Sequence, residues 1–149
     1  MEMKVERILV PVDFSENSNK IVQYGAFVAK QFGAEIHLLF VAQIFQDYSE
    51  FFVPHMPVIQ FEEDLVASAE SRMTSFVEEN MGKDFAGSAK VVAGDAAEVI
   101  IEYAVEQNVD MIVMGTHGYK GLEKVLFGSV AEKVVKMSQC PVLTVNPYR

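Results

Sequence analysis

Four glycines and a serine are the residues of this sequence whose types and spacing point most directly to chemistry. They are Gly115, Gly118, Gly121, Gly128 and Ser129. The stretch that they span, residues 115–129, is called the glycine-rich segment below. Glycine lets backbone N–H groups approach an anion closely and adopt positive φ, which forms an anion-binding nest. The spacing alone leaves two interpretations open: a backbone shaped to hold an anion, and a surface loop that ends in a capping serine.

The end of the glycine-rich segment coincides with the predicted start of a helix. Gly128 and Ser129 lie where this helix begins, so its unpaired N–H groups and its positive dipole end would face the same place. The Ser129 hydroxyl is expected either to donate to a phosphate or to cap its own helix. His117 lies in the same segment, and both a direct ligand contact and a structural role are open for it.

An aspartate follows the first predicted strand. Residues 7–12 (RILVPV) form a nearly continuous apolar run, typical of a strand covered on both faces, and Asp13 comes directly after it. Ligands of open α/β sheets bind outside the carboxyl ends of the strands, where the strand order reverses. If the first and fourth strands are neighbours there, Asp13 faces the glycine-rich segment and can accept hydrogen bonds from ribose hydroxyls. The alternative, which position alone favours, is an aspartate that caps the following helix.

Strands and helices alternate along the chain. Apolar runs predict strands at residues 7–12, 35–42, 88–93, 110–114 and 141–145. Helical periodicity predicts a helix that Gly33 ends, a second at residues 59–81, a third that Asp95 and Glu98 cap, and a fourth at residues 130–137. This order predicts one α/β domain, residues 1–149, with a doubly wound open sheet of five parallel strands and helices on both faces.

The composition is that of a globular domain. The chain has 149 residues, of which 50% are hydrophobic and 22% charged, and its formal net charge is −9. Scattered basic residues in an acidic chain argue against a general nucleic-acid-binding protein, because phosphate contacts need clustered Lys and Arg. The single cysteine, Cys140, fits a reducing compartment. No run approaches the roughly 18 apolar residues of a membrane span, so we expect a cytoplasmic protein without a membrane partner.

Several motifs resemble one known family. The spacing Gly115-x2-Gly118-x9-Gly128-Ser129 resembles the ATP-binding pattern of the universal stress protein family, and four further strings along the chain are similar to it. They are ILVPVDFS, GDAAEVIIEYA, GSVAEKVV and CPVLTV. The resemblance implies a Rossmann-like fold of the adenine nucleotide alpha hydrolase type. It also implies a bound adenine nucleotide (ATP, ADP or AMP, with or without Mg²⁺) and a homodimer.

The resemblance further implies roles for individual residues. Asp13 would bind the ribose or the adenine edge, Val41 would pack on the adenine, and the backbone at Met114 and Gly115 would line the base and ribose. The full predicted nucleotide-binding set is Pro11, Val12, Asp13, Ser15, Val41, Met114, Gly115, His117, Gly118, Gly128, Ser129 and Val130.

The resemblance assigns the phosphates to the last four residues of that set: Gly118, Gly128, Ser129 and Val130. One position departs from the family. A basic residue often follows the second loop glycine there, whereas Tyr119 occupies that position here, with Lys120 and Lys124 as nearby basic residues.

We predict a nucleotide-binding stress-response or regulatory module, and we predict no catalytic or metal-binding residue. The strings GxxxxGK[ST], HxGH and SGGxDS do not occur, and the spacing of His37, His55 and His117 fits no compact metal motif. Two alternatives stay open. One is a slow ATP-hydrolysing or phosphotransfer enzyme, in which Asp13 or Mg²⁺ assists the γ-phosphate. The other is a dimeric interaction protein that binds no nucleotide.

Two segments are predicted to meet partners. The last strand, residues 141–145, is apolar, and we expect it at the sheet edge, where pairing with a two-fold mate would cover it and form a homodimer. Residues 43–58 are rich in aromatic side chains. They are interpreted as a lid or a docking patch for an unidentified protein partner, or as a loop folded back on the second helix.

Overall fold

The computed structural model describes residues 2–43, 58–82, 85–117 and 128–149. Within these residues, five strands alternate with four helices. The elements are β1 (Arg7–Pro11), α1 (Glu16–Phe32), β2 (Glu35–Gln43), α2 (Val58–Asn80), β3 (Ser88–Gly94), α3 (Ala96–Glu106), β4 (Met111–Gly115), α4 (Ser129–Met137) and β5 (Val142–Val145). The predicted order is confirmed, and the predicted strand ends agree within one residue. Most of the aromatic stretch at 43–58 lies outside the described residues.

The first strand lies at the centre of the sheet. The strand order is β3-β2-β1-β4-β5, and every neighbouring pair is parallel. From β1 the chain runs outward to β3 on one side and then returns to β4 on the other, so the order reverses between β1 and β4. The first and fourth strands are therefore neighbours, which meets the condition set for Asp13 above, and the expected edge position of β5 is confirmed.

Helices cover both faces of the sheet. Ile8 and Val10 belong to a buried cluster that they form with residues of α1 and α2, whereas Leu9 and Leu39 belong to a cluster with α3 and α4. Successive side chains of a strand point to opposite faces, which explains how one uninterrupted apolar run supplies both clusters. The predicted doubly wound α/β fold is confirmed. No helix among the described residues combines the length and the apolar character that crossing a bilayer requires.

The ends of two helices follow their predicted signals. Gly33 ends α1 in the left-handed conformation, with φ at 66°, a conformation that glycine adopts without a steric penalty. Asp95 caps α3, and its side chain accepts a hydrogen bond from the N–H of Glu98 at 3.1 Å. Both residues act locally, which is why the sequence could predict them.

His37 has a structural environment. It is buried, with Nδ1 2.7 Å from the Tyr103 hydroxyl and Nε2 2.9 Å from Oε1 of Glu35. The hydrogen bond with His37, followed by the contribution of Arg7, holds the pKa of the Glu35 carboxyl below its ordinary value. These contacts tie β2 to α3 and to β1.

Gly25→Ala tests the packing of α1 on β1. A Cβ atom on Gly25 would lie 2.7 Å from Cγ2 of Val10, and Val10 is fully buried. We expect the variant to lose about 1–3 kcal/mol of unfolding free energy through overpacking, although alanine favours a helix interior over glycine by ~1 kcal/mol. Urea unfolding followed by circular dichroism measures the change.

The control is the same substitution in a Val10→Ala background. The clashing methyl group is then gone, and Gly25→Ala should cost much less. If the two substitutions are simply additive in the double variant, the two residues do not compete for this space.

Candidate ligand-binding site

A pocket of about 430 Å³ lies at the carboxyl ends of β1, β2 and β4. It occupies the point where the strand order reverses, which is where open α/β sheets bind their ligands. Its volume lies within the roughly 300–1,000 Å³ range of small-molecule sites. The first residues of α1, α3 and α4 complete its wall.

Ten of the twelve residues predicted to bind a nucleotide line this pocket. They are Pro11, Val12, Asp13, Val41, Met114, Gly115, His117, Gly128, Ser129 and Val130. Ser15 is not a lining residue. Gly118 lies outside the described residues, as do Tyr119, Lys120 and Lys124.

Several lining residues were missed by the sequence analysis. Asn17, Ser18 and Ile21 enter the wall from the first turns of α1, and Ile100 enters from α3. The α1 residues carried a usable signal, because a helix that begins directly after a site aspartate must present its first turns to the same place. Ile100 carried none, since its spacing is that of any core residue of a helix.

Asp13 organises the start of α1 with one carboxylate oxygen. Oδ1 accepts hydrogen bonds from the Ser15 N–H at 3.0 Å, from the Ser18 hydroxyl at 2.7 Å and from the Ser15 hydroxyl. The Asp13 N–H in turn donates to Ser18 Oγ at 2.8 Å. Oδ2 accepts no hydrogen bond from the described part of the chain. The Ser15 hydroxyl is therefore bonded to Asp13, and Ser15 itself is not a lining residue.

The N-terminus of α4 reaches the pocket without a side-chain cap. Gly128 is the N-cap residue, and it provides no capping side chain. The first intrahelical hydrogen bond runs from the Glu132 N–H to the Gly128 carbonyl at 2.9 Å, so the N–H groups of residues 129–131 precede the helical pattern. Ser129 is exposed, and it is the first residue of α4 and not its N-cap. Ser129 therefore does not cap its own helix, as one of the two interpretations had it.

The glycines of the pocket are needed because a side chain would be crowded there, and not because their dihedral angles are unusual. Gly115 and Gly128 do not have positive φ, which corrects the expectation of a left-handed nest at these two positions. A Cβ atom on Gly128 would lie 3.1 Å from the backbone oxygen of Thr116, and one on Gly115 would lie 3.3 Å from Ile21. The Gly128 N–H donates to the same Thr116 oxygen at 2.7 Å. Glycine therefore permits the close docking of α4 against the end of β4.

His117 forms a buried part of the pocket wall. Its Nδ1 lies 2.7 Å from the Thr116 hydroxyl, and its ring meets the edge of Tyr148 with centroids 5.1 Å apart. Lys20 holds the chain beside Tyr148, because its ammonium group donates to the carbonyls of Pro147 and Arg149 at 3.0 and 3.1 Å. The segment after β5 thus supports the wall from behind.

Polar donors of the described pocket are mostly uncharged. Asp13 and His117 are its titratable lining residues, and none of the described lining residues is Lys or Arg. In the described ranges, no three His, Cys, Asp or Glu side chains come together as a potential metal site. An anion in this pocket would therefore meet backbone N–H groups and hydroxyls.

An open parallel sheet with a pocket at its switch point defines a Rossmann-like, doubly wound α/β protein. Comparison with known proteins narrows this class. The profile of the Universal stress protein family matches residues 4–146, and the chain belongs to this family.

Two of the relatives that match nearly the whole chain have sequence identities of 30% or more. Universal stress protein MJ0531 of Methanocaldococcus jannaschii is 32% identical over 144 residues, which cover 95% of this chain and 82% of that protein. The solved structure of MJ0577 from the same organism is 30% identical, has a TM-score of 0.76 and covers 97% of both chains.

Two more distant structures share the fold and were solved with a nucleotide. A universal stress protein in complex with cAMP is 18% identical, with a TM-score of 0.62 and coverage of 95% of this chain and 97% of its own. One from Archaeoglobus fulgidus in complex with dAMP is 17% identical, with a TM-score of 0.62 and coverage of 97% and 100%.

Ser18→Ala tests the hydrogen bonds around Asp13. The Ser18 hydroxyl is buried, accepts from the Asp13 N–H and donates to Asp13 Oδ1. The variant should lose about 1–3 kcal/mol of unfolding free energy, because a backbone N–H loses its partner in a partly buried place. Urea unfolding measures the loss. Ser71→Ala on the exposed side of α2 is the matched control, and an equal effect in both variants would contradict the assignment.

Proposed function

We propose that the protein binds an adenine nucleotide in the pocket at the carboxyl ends of β1, β2 and β4, and acts as a nucleotide-dependent homodimeric regulatory module. The observation that carries this proposal is that Asp13 and the uncapped N-terminus of α4 line the same pocket. A carboxylate accepts hydrogen bonds from ribose hydroxyls, and a helix N-terminus binds phosphate. The pocket thus offers a partner to each polar part of a nucleotide.

The wall beside α3 and α4 suits a nucleobase. Val41, Ile100, Met114 and Val130 line the pocket on that face and belong to the cluster packed under these helices. A flat base gains about 25 cal/mol for each Å² of apolar surface that it removes from water. The family members solved with cAMP and dAMP both hold an adenine nucleotide, which supports adenine as the base in this chain.

The phosphate end would rest on α4. The N–H groups of residues 129–131 and the Ser129 hydroxyl are the donors that the described pocket offers there. Partial charges of a helix N-terminus suit one phosphate group well. ATP brings more negative charge, and Mg²⁺ carried with the nucleotide would offset it. We therefore expect AMP to bind without a metal ion and ATP to bind better with Mg²⁺.

We propose binding rather than turnover as the function. A general base needs a free acceptor within reach of the attacking group. Asp13 Oδ1 already holds three donors, and we assign the remaining oxygen, Oδ2, to the ribose hydroxyls and not to an attacking water molecule; Nδ1 of His117 is engaged with Thr116. Slow hydrolysis is the alternative that the experiment below separates from binding.

Adenine nucleotides should raise the melting temperature, because a ligand that binds only the folded state stabilises it. Asp13→Asn should weaken AMP binding about tenfold or more, since hydrogen bonds to charged groups contribute ~1.5–3 kcal/mol. Gly128→Ala should also weaken it, because the added Cβ would lie 3.1 Å from the Thr116 oxygen and displace the start of α4. Thermal shift and isothermal titration calorimetry measure both effects.

Asp64→Asn is the matched control, because it removes the same charge from an exposed position of α2 and should bind AMP as the wild type does. If AMP, ADP and ATP all leave the melting temperature unchanged, with and without Mg²⁺, the proposal is wrong and an interaction protein is favoured. Phosphate release from ATP that Asp13→Asn abolishes would identify an enzyme instead.

The position of β5 at the edge of the described sheet supports the homodimer. The carbonyls of Pro141 and Val145 accept hydrogen bonds from residues 112 and 116 on the β4 side. Backbone groups alternate in direction along a strand, so those of Val142 and Thr144 point away from β4. Leu143, in the middle of β5, is 42% exposed. An edge of this kind invites pairing with a second copy of the chain.

Thr144→Pro should convert the dimer into a monomer, because proline removes an outward N–H while the bonds to β4 stay in place. Light scattering coupled to size exclusion at micromolar concentration measures the mass. Thr144→Val keeps the N–H and should stay dimeric. A monomeric wild type, or a Thr144→Pro variant that remains a dimer, would contradict pairing through β5.

A further inference from the structure

The backbone of Phe14 is unusual for its residue type. Its φ is 64°, in the left-handed region that bulky side chains rarely adopt. Among the described residues, Asn108 is the other non-glycine residue with positive φ, and asparagine tolerates it because its short side chain bonds locally. Phenylalanine has no such compensation, so its surroundings must hold the conformation.

Three side chains hold the Phe14 ring on the face of the sheet that α1 and α2 cover. The ring stacks on Phe40 with centroids 4.4 Å apart and an interplanar angle of 24°. It meets Phe76 edge-on at 5.7 Å, and the Arg72 guanidinium lies 4.8 Å from its centroid. Aromatic and cation–π contacts of this geometry are favourable beyond the area that they bury. Phe40, Phe76 and Arg72 are called the Phe14 clamp.

The turn at Phe14 decides how Asp13 is bonded. The Ser15 N–H donates to Asp13 Oδ1 across Phe14, so Phe14 is the central residue of an Asx turn. The hydroxyls of Ser15 and Ser18 donate to the same oxygen. All three donors follow Phe14 in the chain, so the direction that the chain takes at Phe14 determines whether they reach Oδ1.

We propose that Phe14 is a positioning residue of the nucleotide site. The clamp keeps the turn left-handed, and the turn holds Asp13 by Oδ1 so that Oδ2 is the oxygen offered to a ligand. This inference rests on the proposed function, because it assumes that Asp13 accepts a hydrogen bond from the nucleotide. It gives Arg72 and Phe76 of α2 an influence on ligand affinity, although neither lines the pocket.

Substitutions at Phe14 separate the ring from the backbone conformation. Phe14→Ala and Phe14→Gly both remove the ring, but glycine adopts positive φ without strain and alanine does not. We expect Phe14→Ala to weaken AMP binding at least tenfold, Phe14→Gly to retain more affinity, and Phe14→Tyr to bind as the wild type does. Calorimetry well below the melting temperature of each variant measures these constants.

Two further variants distinguish positioning from loss of stability. Phe27→Ala removes the same ring from a 63% exposed position of α1 and should leave the affinity unchanged. In an Asp13→Asn background, Phe14→Ala should cause little additional loss, because both act through one carboxylate. An unchanged AMP affinity in folded Phe14→Ala, or losses that simply add to those of Asp13→Asn, would overturn the proposal.

NMR tests the turn without any ligand. In Phe14→Ala the Ser15 amide proton should move upfield and exchange faster with solvent, as its hydrogen bond to Asp13 is lost, and Phe14→Gly should keep it closer to the wild-type position. If the wild type binds no nucleotide, the proposed function fails, and this spectrum still decides the role of Phe14. If the chemical shift and the exchange rate of the Ser15 amide proton are unaltered in Phe14→Ala, the proposed role of Phe14 is wrong.

Discussion

The parallel pairing of β1 with β4 is the interaction on which the rest of the structure depends. Ile8 lies beside Met111 and Leu9 beside Ile112 at the centre of the sheet, and Ile8, Leu9 and Ile112 are fully buried. Helices α1 and α4, which follow these two strands in the chain, pack on opposite faces of the sheet. The pocket lies at the strand ends between them. The pocket is therefore a result of topology, and its lining residues refine it.

Local signals predicted the elements, whereas the resemblance to the universal stress protein family implied the ten predicted residues that line the described pocket. Gly33 and Asp95 act within one helical turn, so their roles follow from sequence alone. The way in which Gly128 acts could not be predicted, because its contact with Thr116 depends on how α4 docks after a long connection. The role of Ser15 could not be predicted either. A serine beside an aspartate can bond a ligand or the aspartate, and which of the two it bonds depends on the geometry of the turn.

The structure leaves room for both roles that the sequence presented as alternatives for Asp13, a contact at the start of α1 and a contact with a ligand. One oxygen of its carboxylate organises the first turn of α1, while the other accepts no hydrogen bond from the described residues. A carboxylate can serve structure and recognition together because its two oxygens accept independently. The net charge of −9 is compatible with an anionic ligand. Donors at contact distance outweigh the distant charges, because solvent and salt screen the latter.

The central position of β1 also has a consequence for the order in which the chain can fold. The lining residues extend from Pro11 to Ala131, and the central pairing joins Ile8 to Met111. Contacts between such distant parts of a chain form slowly. During synthesis β1 is made before β4, which is its second neighbour in the sheet. Until β4 has been made, one edge of β1 is unpaired and can pair with other strands or chains. A small molecule that touches both halves of the pocket would stabilise only chains that have completed this step.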